Sequence, residues 1–261
     1  DTDLPRLRRG MVGAQFWSVH VDVDHPRPAM QQLEQIDIAH RIIEAYPDEL
    51  EFAGSVSDIE RVFGTGKIAS LLGIEGGHVI ENSLGALRAF YRAGVRYMGL
   101  THFSNTDWAD SGTDSVVVDG LSPFGEEVVR EMNRLGMIVD ISHVAVKTFW
   151  DAMETTTKPV IASHSSAWEI CQNPRNMNDD QLRAVAENNG VVCVNYEVTF
   201  VSQLRNEQEL PIATERQREF DEAMRAREGE PDALGSVEAE IAGLEPEDQA
   251  AFLEDLGLSE P

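Results

Sequence analysis

The chain has 261 residues, and 42% of them are hydrophobic, so it can bury a substantial core as one large domain or as one domain with an appendage. Its 46 acidic and 21 basic residues give a formal net charge of −25, which disfavours binding to a phosphate backbone or to an anionic membrane surface. No apolar stretch approaches the roughly 20 residues that span a bilayer. We therefore expect a globular protein that binds neither nucleic acid nor membrane.

Two features of the sequence favour a cytoplasmic location. The two cysteines, Cys171 and Cys193, are too few for a disulfide framework and lack CxxC spacing, which fits a reducing compartment. The chain also opens without the charged and then apolar leader of a secreted protein. The sequence leaves open whether the protein forms a homo-oligomer.

Short apolar segments alternate with longer segments of helical period. The predicted strands, in chain order, are 12–19, 68–75, 95–102, 137–143, 159–164 and 191–196. The clearest predicted helices are 29–46, 81–94, 121–136 and 178–190. Ser122 is the predicted N-cap of the third of these helices, Pro123 lies in its first turn, and Gly136 ends it. The pattern predicts an α/β fold with a parallel sheet, either most of a (β/α)8 barrel or an open doubly wound sheet.

The character of the sequence changes after residue 203. Residues 204–261 contain 17 acidic and five basic residues, with helix-forming runs such as EDQAAFLEDLG. We therefore divide the chain into an α/β unit, residues 1–203, and an acidic helical insertion or lid, residues 204–261. The alternative is that the acidic segment is a binding tail.

Four of the six predicted strands end on a side chain that can bind a metal ion or take part in catalysis. These side chains are Glu75, His102, His143 and His164. In parallel α/β folds the carboxyl ends of the strands face one crevice, so we expect the four to converge there. One carboxylate and three imidazoles suit a divalent transition metal, most of all zinc, in an open site that favours hydrolysis. Taken singly, each residue is more often a hydrogen-bonded core or turn residue.

Further polar and aromatic side chains follow these strands. Arg175 comes eleven residues after His164, where a guanidinium could bind a carboxylate over the metal site, although a lone arginine is usually a surface residue. Asp107, Trp108 and Asp110 lie in the loop after the third predicted strand. That loop is interpreted as a wall of the site, with substrate contact as the alternative.

Four stretches of the chain closely resemble a known family. They are LRRGMVGAQFWSV, GIEGGHVIENSLGALRAFYRAGVRYMGLTH, GLSPFGEEVVREMNRLGMIVDISHV and PVIASHSSAWEICQNPRNM. In order and content they resemble the membrane (renal) dipeptidase family of zinc metallopeptidases, including its bacterial members, over residues 1–200. The resemblance implies a (β/α)8 TIM barrel of the amidohydrolase type with two zinc ions. It also implies hydrolysis of dipeptides by a metal-bound hydroxide, with tolerance of a D-configured C-terminal residue.

The resemblance assigns a role to each candidate residue. Glu75 would bridge the two zinc ions, and His143 and His164 would complete the second zinc site. His102 would bind the scissile carbonyl and steady the oxyanion. Arg175 would hold the terminal carboxylate of the dipeptide.

The chain also departs from the family pattern. The family's first strand carries a His-x-Asp pair that completes the first zinc site, its last strand carries an acid that serves the leaving amine, and neither is found here. We therefore expect strands two to seven of the barrel, with one metal site complete and the other reduced to Glu75. The sequence HVD, from His20 to Asp22, has the spacing of the missing pair. It follows the second strand, where the family has no ligand, so we do not expect it to bind metal.

Three functions are compatible with these residues. The preferred one is a zinc-dependent dipeptidase. The first alternative is a non-catalytic metal-binding fragment or scaffold, which a metal count would separate from an intact two-zinc enzyme. The second alternative is an amidohydrolase that acts on another amide or ester, because fold alone does not fix the substrate.

Overall fold

The computed structural model describes residues 3–209, and the statements below concern that part of the chain. The chain divides into two units, Asp1–Glu207 and Gln208–Pro261, and nearly all described residues belong to the first. The predicted acidic insertion or lid, residues 204–261, lies almost entirely outside the described residues. Its nature and the division after residue 203 therefore stay predictions.

The described strands form one parallel sheet. In chain order they are β1 (Ala14–His20), β2 (Leu50–Phe52), β3 (Ile68–Glu75), β4 (Val95–Gly99), β5 (Ile138–Asp140), β6 (Ile161–Ser165) and β7 (Val191–Val194). Their spatial order is β1-β3-β4-β5-β6-β7, with the short β2 also paired to β3. A doubly wound sheet reverses its strand order at a switch point, whereas this order follows the sequence, as in a (β/α)8 barrel. The predicted partial barrel, with its six strands, is confirmed.

Helices connect the strands, and their ends follow local sequence signals. They are α1 (Leu4–Arg9), α2 (Pro28–Ala45), α3 (Val56–Gly64), α4 (Leu84–Arg92), α5 (Pro123–Leu135), α6 (Val146–Thr155), α7 (Asp179–Glu187) and α8 (Val198–Val201), with a 3-10 helix at Gly77–Ile80. The Ser122 hydroxyl caps α5, and Gly136 ends it in the left-handed conformation, as predicted. No helix in this part of the chain combines the length and the apolar character needed to cross a bilayer.

Two differences between the structure and the predicted elements bear on the site. The sequence pattern does not indicate β2, because its three residues are too few to display a period and depend on pairing with β3. In addition, β4 and β5 end three residues earlier than predicted, at Gly99 and Asp140. At the end of β5 the Asp140 carboxylate accepts a hydrogen bond from the Ser142 N–H at 2.9 Å, which turns the chain out of the strand.

Strand β3 is buried in the core along most of its length, and its last residue lines the cavity of the sheet. All residues of β3 except its last, Glu75, are buried, and β1, β2 and β4 pair with it. The strands line a cavity of about 530 Å³ with side chains from β1, β3, β4, β5, β6 and β7. Glu75 and His164 both line this cavity. The fold therefore brings the carboxyl ends of β3 and β6 to the same opening.

Candidate metal centre

The predicted site residues meet at the side chain of Glu75. Its Oε1 lies 3.0 Å from Nε2 of His143 and 3.0 Å from Nε2 of His164. The Nε2 atoms of the two imidazoles are 2.8 Å apart. We call Glu75, His143 and His164 the inner group; their three ligand atoms form a compact triangle.

The backbone holds the two inner imidazoles in different ways. His164 belongs to β6, so the strand fixes the direction of its side chain. His143 lies three residues beyond β5 and has a φ of 69°, a left-handed conformation that is uncommon outside glycine. Its carbonyl accepts hydrogen bonds from the Gly112 N–H at 2.7 Å and from the Ser111 hydroxyl at 3.2 Å. These contacts hold a backbone conformation of the kind that clusters at functional sites.

The inner group combines an ionised carboxylate with a neutral imidazole. Burial by itself raises the pKa of Glu75, but its contacts with the His143 and His164 imidazoles outweigh burial and lower that pKa well below its usual range. Burial lowers the pKa of His143 to about 3. At neutral pH these are the forms in which carboxyl and imidazole groups bind a metal ion.

The donor set of the inner group fits a divalent transition metal. Two of its three ligand atoms are imidazole nitrogens, which suit zinc better than magnesium or calcium. His143 is buried, whereas 28% of the His164 side chain and 21% of the Glu75 side chain are exposed. Three protein ligands beside an open cavity are typical of a catalytic zinc site rather than a closed structural one.

A second set of side chains shares Glu75. His102, three residues beyond β4, has its Nε2 at 3.6 Å from Glu75 Oε1, and burial lowers its pKa to about 4. His20, the last residue of β1, pairs in register with Glu75, and its ring centre lies 4.5 Å from that of His102. We call His20, Glu75 and His102 the outer group; their ligand atoms all lie within 4.8 Å of one another. The structure therefore places His20 in the centre, where the sequence pattern did not favour it as a ligand.

Arg175 lies next to the inner group and is 8% exposed. Its Nη2 donates to the His164 carbonyl at 3.3 Å, and its guanidinium lies 5.5 Å from the ring centre of Phe200. Its buried Nε has no hydrogen-bond partner within the described residues. Burial lowers its pKa to about 10, which leaves the group charged at neutral pH. A buried cation with a free donor is suited to binding an anion.

The loop after β4 is held in place by burial and by hydrogen bonds within the loop. Trp108 is buried to 1% exposure. The buried Asp110 carboxylate accepts hydrogen bonds from the backbone N–H groups of Val117, Val118 and Gly120 at 2.9–3.1 Å. These contacts favour the structural interpretation of both residues over substrate contact.

Sequence reasoning missed four residues around the centre. The Ser18 hydroxyl donates to Glu75 Oε2 at 3.0 Å, and the Phe103 ring centre lies 4.3 Å from that of His102. Asp140 and Ser163 form hydrogen bonds behind His164. The signal for Asp140 was present, because it is an acid at the end of an otherwise apolar strand. No comparable signal marks the other three.

Known proteins resemble this chain over most of the described residues. The family model for Membrane dipeptidase (Peptidase family M19) matches residues 1–249. Dipeptidase tcpJ of Claviceps purpurea is 43% identical over 205 residues, which are 74% of this chain and 48% of tcpJ. This chain therefore spans about half the length of that curated relative.

Solved structures show the same fold. An amidohydrolase from Pseudomonas aeruginosa aligns with a TM-score of 0.68 at 28% identity, over 73% of this chain and 57% of that one. The probable dipeptidase PvdM from the same organism aligns with a TM-score of 0.69 at 26% identity, over 74% of this chain and 52% of that one.

Proposed function

Because the chain belongs to the membrane dipeptidase family, we propose that it carries the metal centre and the substrate site of a zinc-dependent dipeptidase. The substrate is a dipeptide, and the reaction is hydrolysis of its peptide bond. The observation that supports this most directly is the inner group, in which one carboxylate and two imidazoles meet at 2.8–3.0 Å beside an open cavity.

In this proposal Glu75, His143 and His164 hold zinc. A bound zinc ion supplies a Lewis acid that lowers the pKa of a water molecule to about 7. Glu75 is the residue that two ions would share. Its Oε1 faces the inner imidazoles, while its Oε2 accepts the Ser18 hydrogen bond, so its two oxygens have different neighbours.

His102 is the proposed partner of the scissile carbonyl. Its low pKa keeps the imidazole neutral, and a neutral imidazole donates one hydrogen bond. The rings of His143 and Phe103 lie 4.5 and 4.3 Å from its own, which restricts the plane of the imidazole. A fixed donor aimed at the oxygen where negative charge develops stabilises the transition state.

Arg175 is the proposed partner of the free carboxylate of the dipeptide. Its charge is buried and forms no ion pair within the described residues, so a substrate carboxylate would supply the missing anion. A guanidinium binds a carboxylate through two parallel hydrogen bonds, which also orients the substrate. This role distinguishes a dipeptidase from a hydrolase of other amides or esters.

We also propose a cytoplasmic location for the chain. Cys171 and Cys193 are both free thiols, the first buried and the second exposed, which fits a reducing compartment.

The test is zinc content by elemental analysis together with dipeptide hydrolysis, on the whole chain and on His164→Ala. His40→Ala is the matched control, because His40 hydrogen-bonds the Ala93 carbonyl away from the centre. We expect zinc and hydrolysis in the chain and in the control, and loss of both in His164→Ala. Zinc without hydrolysis would support the non-catalytic metal-binding alternative. Hydrolysis that survives in His164→Ala would refute the proposed centre.

A further inference from the structure

A chain of hydrogen bonds lies behind His164, on the side of the imidazole away from Glu75. His164 Nδ1 lies 2.7 Å from the Ser163 hydroxyl, which in turn donates to Asp140 Oδ2 at 2.6 Å. A carboxylate only accepts hydrogen bonds, so the single hydroxyl proton of Ser163 points to Asp140. Ser163 Oγ must then accept from His164, which places the imidazole proton on Nδ1.

Asp140 is well fixed as the end of this chain of hydrogen bonds. It is 1% exposed, and its Oδ1 accepts hydrogen bonds from the N–H groups of Ser142 and Ser163 at 2.9 and 3.0 Å. The Ser142 hydroxyl accepts from the His164 N–H at 3.1 Å and lies 3.3 Å from Ser163 Oγ. The carboxylate therefore has one orientation, and that orientation sets the direction of the Ser163 hydroxyl.

The contacts of the two inner imidazoles with each other and with Glu75 favour opposite tautomers. Their Nε2 atoms are 2.8 Å apart, a gap that one N–H proton fills and that two cannot share. With the His164 proton on Nδ1, its Nε2 is an acceptor, and the His143 proton belongs on Nε2, which lies 2.8 Å from His164 Nε2 and 3.0 Å from the Glu75 Oε1 carboxylate oxygen. His143 Nδ1 is buried without a partner within the described residues, so it is a poor place for a proton.

We infer that Asp140 and Ser163 are positioning residues that hold the proton of His164 on Nδ1, and that His143 holds its proton on Nε2 until a metal ion displaces it. This inference rests on the proposed function, because it takes both imidazoles as Nε2 ligands. The two ligands are then unequal. His164 already presents a lone pair to the metal position, whereas His143 must move its proton to the unpartnered Nδ1.

Long-range ¹H–¹⁵N NMR on the metal-free whole chain tests this at about pH 8, where most imidazoles are neutral. Spectra of His143→Ala and His164→Ala assign the two rings. We expect an Nδ1-protonated His164 and an Nε2-protonated His143 without metal. After zinc is added, both rings should be protonated on Nδ1, so only His143 changes.

We call the chain of hydrogen bonds from His164 through Ser163 to Asp140 the relay, and variants of it make the test more specific. In Ser163→Ala the acceptor for Nδ1 is gone, so the His164 proton should move to Nε2, toward Glu75 Oε1. Ser163→Thr keeps the hydroxyl and should restore the Nδ1 proton, which also controls for folding. Ser70→Ala is the matched control, since the Ser70 hydroxyl is buried in β3 and donates to the Ile68 carbonyl. Zinc affinity in a chelator competition should fall about 10–100-fold in Ser163→Ala and stay unchanged in Ser70→Ala.

An Nε2-protonated His164 in the unaltered chain, or the same His164 tautomer in Ser163→Ala, would overturn the inference. The NMR spectra are recorded without metal, so they show whether the relay sets the tautomer of His164 even if the chain does not hydrolyse dipeptides. Conversely, zinc binding and hydrolysis by the unaltered chain would stand if the relay were refuted.

Discussion

The inner and outer groups share Glu75 but are built differently. In the inner group the ligand atoms are 2.8–3.0 Å apart, His143 is buried, and His164 is backed by Ser163 and Asp140. In the outer group His102 Nε2 lies 3.6 Å from Glu75 Oε1, a longer separation. About a third of the His20 side chain is exposed, and its Nε2 lies 3.5 Å from the exposed Asp22 carboxylate.

This difference teaches that sharing a carboxylate does not make two sites equal. Metal affinity depends on ligands whose direction is fixed by further hydrogen bonds, and the inner group has such support. In the outer group His20 Nδ1 lies 3.3 Å from the Glu75 carbonyl, but among the described residues no chain of hydrogen bonds that ends on a buried carboxylate supports its imidazoles. We therefore expect the inner group to bind metal first and most tightly.

Removing the shared charge gives the largest expected effect. Glu75→Gln keeps the shape of the side chain but deletes the only carboxylate common to both groups. We expect zinc content to fall below about 0.1 ion per chain, because an anionic ligand contributes much of the binding free energy of such a site. Elemental analysis after dialysis measures this. A variant that retains a full zinc ion would show that the imidazoles suffice.

Deleting one imidazole from each group compares the groups directly. We expect His143→Ala to weaken zinc binding about 100-fold or more and His20→Ala to weaken it less than about threefold, because only His143 belongs to the inner group. Chelator competition on both variants measures the ratio, with His40→Ala as the control. If His20→Ala lowered zinc affinity as much as His143→Ala, the two groups would not differ as proposed, and His20 would be a zinc ligand.

A smaller effect is expected from the substrate side of the inner group. Arg175→Met should raise KM for dipeptides about 10–100-fold with little change in kcat, because one charge-assisted interaction with a carboxylate is lost. Substrates whose terminal carboxylate is blocked as an amide should be affected little. Arg96→Met is the control, since Arg96 donates to backbone carbonyls of Gly54, Tyr91 and Val95. An equal rise in KM for both substrate types would argue against carboxylate recognition.

The smallest effect is expected at a carboxylate outside the centre. Hydrogen bonds from Arg134 and then Arg88 lower the pKa of Glu131 to about 2 from an ordinary value of 4.5. Because the folded-state pKa is the lower one, this stabilisation is present above pH 4.5 and is lost as pH falls toward 2. Glu131→Gln should cost about 1 kcal/mol at pH 7 and progressively less toward pH 2, with zinc affinity unchanged.

Urea unfolding at several pH values measures this difference. A constant difference between the two proteins across the range would mean that charge is not the cause. A loss of zinc affinity in Glu131→Gln would mean that Glu131, although it lies outside the centre, also affects metal binding.

The sequence predicts the large features of this fold because they depend on local patterns. Ser122, Pro123 and Gly136 set the ends of α5 by capping and turn chemistry that acts within a few residues. Six of the seven described strands are visible as apolar runs, and their consecutive order follows from the rules for parallel α/β folds. In contrast, the short β2 forms only because β3 is beside it, which no local pattern records.

The candidate centre is predictable only in part for the same reason. Glu75, His102, His143 and His164 are visible because each lies at or just beyond the carboxyl end of a strand, and parallel strands bring their carboxyl ends together. The position of His20 depends on the register of β1 against β3, which pairs it with Glu75. The contact between Ser163 and Asp140 joins β6 to β5 across 23 positions of sequence. Register and long-range contacts of this kind are properties of the folded sheet.

The placement of Glu75 on β3 has a consequence for the order of events during folding and metal uptake. β3 pairs with three other strands, and all of it except Glu75 is buried, so its amides should exchange with solvent only when the whole unit unfolds. β7, by contrast, pairs with β6 alone among the described strands and is largely exposed, so its amides should exchange by local opening. The carboxylate on which both groups depend is therefore anchored to the most persistent strand of the unit before any metal arrives.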